Sequence, residues 1–470
     1  MSDILVHGRR GGAYNGHMAF FEPLTEQTLA GLRRAAGDPA LSVARNAVTA
    51  AGVDAVAVDR DAVTALAPAT ATKIDELGVT DQRQTGRCWM FAAFNVFRHA
   101  TAKSLNLDEF EFSEAHLQFH DKLERANFTL RTVAELDLDL SDPHAAMDDR
   151  TLRFVLENAG DDGAWFPYFV NLVRKYGVMP KDVMPGTESA DRTRDLNRAL
   201  GTVLRRRAAL IVEARAAGDA GAVETHIADG VRDAHRVISA HLGVPPTTFT
   251  WRYLDKDGAY TSTGEITPQE FAARHLPADL DEWVALAVDP REGHEPGTRW
   301  RLTHTGNVWG EEGMVYVSAE TADLESAALA SLDAGEPVWF ACDVMRRFPR
   351  DLAVWDEDAV RLDDLYGIDT SSTVGERFIT RDSLPTHGMA FTGVDREGDG
   401  SVRAWRVENS WGTKNREEKE MPGKGYGTMS PSWFAANVFQ VVVPRRHVPE
   451  HLLPALAAEV RDLPPYDLMA

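Results

Sequence analysis

The chain has 470 residues, 44% hydrophobic and 26% charged, which excludes a disordered or fibrous protein and provides for roughly two to four domains, or one domain with large insertions. Fifty Lys plus Arg against 72 Asp plus Glu leave a formal net charge of -22, which repels phosphate backbones and anionic lipid, so neither nucleic acid nor membrane is an expected partner. Two cysteines, Cys88 and Cys342, are too few for a disulfide framework or a Cys-rich zinc site and suit free thiols in a reducing compartment.

The opening residues, MSDILVHGRRGGAYNGHMAFF, contain no continuous apolar stretch before a small-residue cleavage site. No segment approaches the ~18 apolar residues of a membrane span, so a soluble, cytoplasmic protein is expected. Residues 24–66 predict short amphipathic helices separated by Gly37-Asp38-Pro39 and Gly52. From Cys88 to Leu105 the run CWMFAAFNVFRHATAKSL lacks Gly and Pro and is apolar on nearly every side at its start, which predicts a buried helix with Cys88 at its N-terminus.

Between about Ala190 and Gly243, apolar residues recur at intervals of three and four: Leu196, Leu200, Val203, Leu204 and Ile211, then Val223, Ile227, Val231, Ala234 and Ile238. This predicts a helical hairpin turning near Gly218-Asp219-Ala220-Gly221, packed on the core or forming a subunit interface. The adjoining Arg205, Arg206 and Arg207 read as a solvated helix face. Further on, PVWFACDV (337–344), GMAFTGVD (388–395), RAWRVENS (403–410) and VFQVVVP (438–444) predict strands of one antiparallel sheet. Helices first and sheet second indicate an α+β protein with a cleft between the two parts.

Cys88 ends Asp81-Gln82-Arg83-Gln84-Thr85-Gly86-Arg87-Cys88. A thiol at a helix N-terminus faces unpaired N–H groups and the positive end of the helix dipole, both of which favour thiolate. From the preceding turn, Gln82 can bring its amide to the sulfur and, with the Cys88 N–H, form an oxyanion hole. A thiolate nucleophile needs a partner that holds it as an ion pair and later protonates the leaving amine. His387 begins an apolar strand with Gly388 leaving room beside its ring, and Glu408-Asn409-Ser410-Trp411-Gly412 closes the next strand. Asn409 is placed to orient the imidazole and Trp411 to shield that hydrogen bond. Cys342, within an apolar strand, reads as structural, and His304 in His304-Thr305-Gly306-Asn307 is a spare candidate only.

The order Gln82, Cys88-Trp89, His387, Asn409-Ser410-Trp411 resembles the papain-like cysteine peptidases, although Cys88 and His387 lie about twice as far apart as the ~130–150 residues of the short type. Gln84-Thr85-Gly86-Arg87-Cys88-Trp89, Asp121-Lys122-Leu123-Glu124-Arg125-Ala126-Asn127 and Lys175-Tyr176-Gly177-Val178-Met179-Pro180 are similar to the bleomycin hydrolase and aminopeptidase C branch. The resemblance implies a cytoplasmic homohexamer that acts on peptide substrates inside a cavity, without a metal or organic cofactor. It also implies a C-terminal arm in the cleft, where the Ala470 carboxylate binds the substrate's α-amino group.

Two departures from that pattern concern the substrate-binding residues. Asp162 stands where the family usually has the first of two adjacent glycines that pair with the substrate strand, and is expected to disfavour acidic side chains nearby, while Gly163 keeps the second. The tail stops at Leu468-Met469-Ala470, whereas the family commonly continues about three residues further, so the carboxylate is expected to fall short by about 10 Å. That leaves an endopeptidase or oligopeptidase of the same fold as the alternative to an aminopeptidase. A small-amide amidase or acyltransferase, and a non-catalytic assembly or nucleic-acid-binding protein, are the other readings. The expected organisation is a packing segment (1–66), a helical half with Cys88 (67–185), an inserted helical or oligomerisation region (186–300), a sheet half with His387 and Asn409 (301–450) and the arm (451–470).

Overall fold

The computed structural model describes residues 24–470 apart from 67, 69, 277, 278, 416 and 417. The opening segment, with its expected lack of a leader, lies outside the described residues. Two compact units divide the chain: the described part of 1–57 together with 361–370, and residues 58–360 with 371–470. In the first unit, helices Glu26–Ala35, Pro39–Ala51 and Val53–Ala57 break at Asp38-Pro39 and at Gly52, whose φ of 83° suits glycine. Leu362–Tyr366 adds a short helix to it, and Arg361 N–H donates to the Ala57 carbonyl at 2.8 Å.

The second unit is built on an eleven-stranded sheet among the described residues. Its central strands are Trp283–Ala287, Val438–Pro444, Val338–Cys342, His387–Arg396 and Val402–Glu408, each antiparallel to the next. The four strands expected from the sequence are therefore present and adjacent. The sheet is not wholly antiparallel, however: Trp283–Ala287 runs parallel to Val315–Ser318, Arg299–Leu302 to Val460–Leu463, and Tyr426–Met429 to Val354–Trp355. The expected boundary at 300/301 consequently cuts the sheet, since Trp283–Ala287 pairs with Val438–Pro444 in its middle, and Val460–Leu463 carries the sheet into the arm. WVALA is short and follows the acidic stretch Asp279–Glu282, which hid it among polar sequence.

Alternate residues along the central strands serve two apolar layers, as the two-residue period of a strand requires. Trp339, Ala341, Ala390 and Val442 pack with the helix Cys88–Ser104 and with Phe166–Tyr176. Val338, Phe340, Cys342, Met389, Phe391 and Val441 face the other layer, which includes Leu324, Ala327 and Ala328 of the helix Thr321–Asp333. Residues 89–99 of the Cys88 helix are all buried, which explains its apolar character on every side.

The hairpin forms helices Arg194–Ala216 and Ala220–Leu242. Its stripes, including Leu196, Leu200, Leu204, Ile211, Ile227, Ala234 and Ile238, share one core with Phe119, Ala126, Leu130 and Val133 of the helix Glu114–Glu135. Gly230 permits this close approach, because a Cβ there would lie 2.4 Å from Leu130 Cδ1 and 3.2 Å from Arg207 Cγ. Replacing Gly230 with Leu should cost about 1–3 kcal/mol by overpacking, read as a lower urea midpoint with unchanged slope.

Candidate active site

The helix Cys88–Ser104 begins at the nucleophile candidate itself, with Arg87 as N-cap. Arg87 is buried and donates to Gln118 Oε1 at 2.9 Å and to the Ala190 carbonyl at 2.6 Å, so the entry to the helix is fixed by its own side chain. Close packing sets the depth of the helix against the sheet. A Cβ on Gly388 would come within 3.3 Å of Trp89 Cα, and Trp339 Nε1–H donates to the Trp89 carbonyl at 3.1 Å.

His387 opens its strand and Asn409 directly follows Val402–Glu408. His387 Nε2–H donates to Asn409 Oδ1 at 2.9 Å, which in the neutral ring leaves Nδ1 as the free base. Asn409 Oδ1 also accepts from Ser410 N–H at 2.7 Å, and the Trp411 ring lies 4.8 Å from that of His387. The Gln82 segment is zipped to the same turn: Gln82 N–H donates to the Ser410 carbonyl at 2.8 Å and Gly412 N–H to that of Thr80 at 3.0 Å. Gln82 Nε2 donates to the Thr85 carbonyl and Gln82 Oε1 accepts from Ser410 Oγ, both at 2.7 Å, which fixes the amide.

Gln82, Cys88, Gly163, His387, Trp411 and Ala470 line one cleft of about 1230 Å³, and Asn409 stands off its wall, bonded to His387. Burial pushes the Cys88 thiol up, against the pull of the Gly388, Trp89 and Cys88 amides. Burial likewise lowers the His387 imidazole to about 4, despite its bond to Asn409. In each case desolvation disfavours the charged form of the group, and the hydrogen bonds named oppose it. His304 lines the same cleft, while Asn409 is bonded to His387. Cys342 is fully buried in the layer away from the Cys88 helix.

Asp162 differs from its expected role. Its carboxylate turns into the protein, where it pairs with Lys122 Nζ at 2.6 Å, accepts from Gly86 N–H at 3.1 Å and is bonded by the Thr193 hydroxyl. Its carbonyl accepts from Trp89 Nε1–H at 2.8 Å. The side chain therefore ties the loop before Cys88 to the loop before Gly163, and it does not line the cleft. Three charge-assisted bonds hold it ionised, well below the usual carboxylate range. Glu408 was equally hidden. It is fully buried, bonded by the Arg98 guanidinium and by His99 Nε2 at 3.1 Å, and so joins the Cys88 helix to the strand that ends at Asn409.

A family model described as the Peptidase C1-like family matches residues 23–470. The chain belongs to that family. Within it, the chain falls in the bleomycin hydrolase and aminopeptidase C branch: it is 35% identical to human bleomycin hydrolase over 400 residues, 83% of this chain and 85% of the relative. It is 32% identical to aminopeptidase C of Listeria monocytogenes over 407 residues, 86% of this chain and 88% of that one. PepW from Lactobacillus rhamnosis superposes with a TM-score of 0.88 at 31% identity, covering 95% of this chain and 98% of its own. The α+β fold is thus that of a papain-like peptidase carrying helical insertions. Among the described residues no helix is long and apolar enough to cross a membrane.

Removing the Asp162 carboxylate strands a buried Lys122 charge, so Asp162→Ala should cost about 3–5 kcal/mol, and pairing it with Lys122→Met should recover part of the loss in urea denaturation. A second expectation concerns acid. His387 and His116 are lowered to about 4 and His120 to about 3, chiefly by burial. The unfolded chain protonates first, near pH 6.5, so this stability is complete above that value and is lost as pH falls towards 4. His275 and His304 are lowered too, whereas Glu114, raised by burial to about 7, acts oppositely above pH 4.5 together with the raised Glu325 and Asp343, three carboxyls against five imidazoles. Urea midpoints measured from pH 7 to 4.5 should therefore fall; a flat profile would contradict neutral buried imidazoles.

Proposed function

We propose that this protein is a cysteine aminopeptidase that hydrolyses peptides from their amino end with Cys88 as nucleophile, His387 as base and acid, and Asn409 as the group that orients the imidazole. The observation that carries this reading is the His387 Nε2–Asn409 hydrogen bond in a cleft shared with Cys88 at a helix N-terminus. When a peptide docks along Gly163, the Cys88 thiol gives its proton to His387 Nδ1 as sulfur attacks the scissile carbonyl. The Cys88 N–H and the remaining Gln82 Nε2–H stabilise the oxyanion. His387 then protonates the departing amine, and water activated by the same imidazole hydrolyses the thioester, restoring the thiol.

The route uses no metal or organic cofactor, so chelators are expected to leave it unchanged. Trp411 covers the His387–Asn409 bond, and the arm ending at Ala470, which lines the same cleft, receives the substrate's α-amino group. Relatives named as aminopeptidases C and G support the exopeptidase reading. A cytoplasmic homohexamer with inward-facing clefts completes the proposal, and sedimentation velocity at several concentrations tests the subunit number.

The decisive experiment follows products over time by mass spectrometry, from one decapeptide with a free and with an acetylated N-terminus under reducing conditions. Single residues are expected from the free peptide alone, whereas cleavage of both forms would make this an endopeptidase or oligopeptidase. Cys88→Ala should retain the fold and lose all but about 1% of the rate or less; more residual turnover would reject Cys88 as nucleophile.

A further inference from the structure

Residues 464–470, which follow the strand Val460–Leu463, supply Tyr466, Asp467, Leu468 and Ala470 to the wall of the Cys88 cleft. Their position is fixed by a guanidinium far away in sequence. Arg291 Nη1 donates to Asp467 Oδ2 at 2.7 Å and Nη2 to Asp467 Oδ1 at 2.8 Å, a two-pronged pairing in which both side chains are largely buried. The same guanidinium is held from behind: Nε donates to Asp289 Oδ1 at 2.8 Å and Nη2 to Asp289 Oδ2 at 2.5 Å, and Tyr316 O–H reaches Asp289 Oδ2 at 3.3 Å. Arg291 is thus oriented by contacts that lie outside the arm.

Asp467 also shapes the tip of the arm. Its Oδ1 accepts from Met469 N–H and its carbonyl from Ala470 N–H, each at 3.0 Å, so the residue that is gripped also folds the turn carrying Ala470. Arg150 lies over the Tyr466 ring at 3.7 Å, and Met469 is fully buried. Elsewhere on the molecule, such a staple would affect stability alone. Here the stapled residues form part of the wall of the cleft, so releasing them changes the space offered to a peptide.

We propose that Arg291 is a positioning residue for substrate selection: by clamping Asp467 it holds the 464–470 arm at a fixed depth in the cleft and so sets where the amino end of a bound peptide must stop. This rests on the arm's role in amine recognition proposed above. Losing the clamp frees the arm to sample many conformations, which weakens any recognition that needs its tip in one place.

The test compares kcat/KM for the free and acetylated decapeptides in the parent, Asp467→Ala and Arg291→Met, with hydrogen exchange of the arm followed in parallel. Asp467→Ala leaves the Arg291–Asp289 pair in place, and so separates release of the arm from damage to the core. The free-to-acetylated preference should fall from about a hundredfold or more to less than about tenfold in both variants, and Arg291→Lys, keeping charge without the fork, should lie between. Exchange across 464–470 should speed by about tenfold or more while the Val438–Pro444 strand is unchanged. A discriminating parent with equally discriminating variants would overturn the clamp alone. Loss of rate on both peptides at constant preference would also overturn it, as the result of a purely structural staple. A parent that cuts both peptides equally would remove the amine-recognition reading, and the clamp's role with it.

Discussion

One buried carboxylate, Glu408, holds together the two elements that border the candidate site, the Cys88 helix and the sheet. Arg98 and His99 lie about three helical turns beyond Cys88, and Glu408 lies one residue before Asn409. Their pairing therefore fixes the Cys88 helix against the strand end that leads into Asn409. Such a pair contributes modestly to net stability, since desolvating three polar groups offsets much of the attraction. What it contributes is registry: the helix cannot slide or rotate along the apolar sheet without exposing an unpaired charge to the core.

The second constraint acts on the other side of the nucleophile. Asp162 connects Lys122 in the long helix Glu114–Glu135 with the Gly86 backbone and, through Thr193, with the start of the hairpin. The insertions are thereby mechanically continuous with the loop that presents Cys88. Backbone at Gly86 and Gly163 is positioned by a side chain that lies off the cleft wall.

The residues of the candidate site were legible in the sequence because each sits in a short, local signature: Gln82 and Cys88 ahead of an apolar helix, His387 at a strand start, Asn409 in an Asn-Ser-Trp turn. The residues that position them were not. Asp162 and Lys122 lie 40 positions apart, and Glu408 and Arg98 are separated by 310; a charged residue in an apolar helix or strand carries no mark of the partner that will neutralise it. The hairpin could be drawn from its three-four spacing, whereas Trp283–Ala287 could not, because a five-residue strand buried at the middle of a sheet has too short a pattern to stand out from its polar surroundings.

The placement of Cys88 has a consequence for how the protein meets reactive molecules. Of the two thiols, Cys342 is fully buried in the sheet layer, whereas Cys88 is partly exposed on the wall of the cleft. A reagent reaches Cys88 through that cleft, so covalent ligands for it gain selectivity from their fit to its walls as well as from their reactivity.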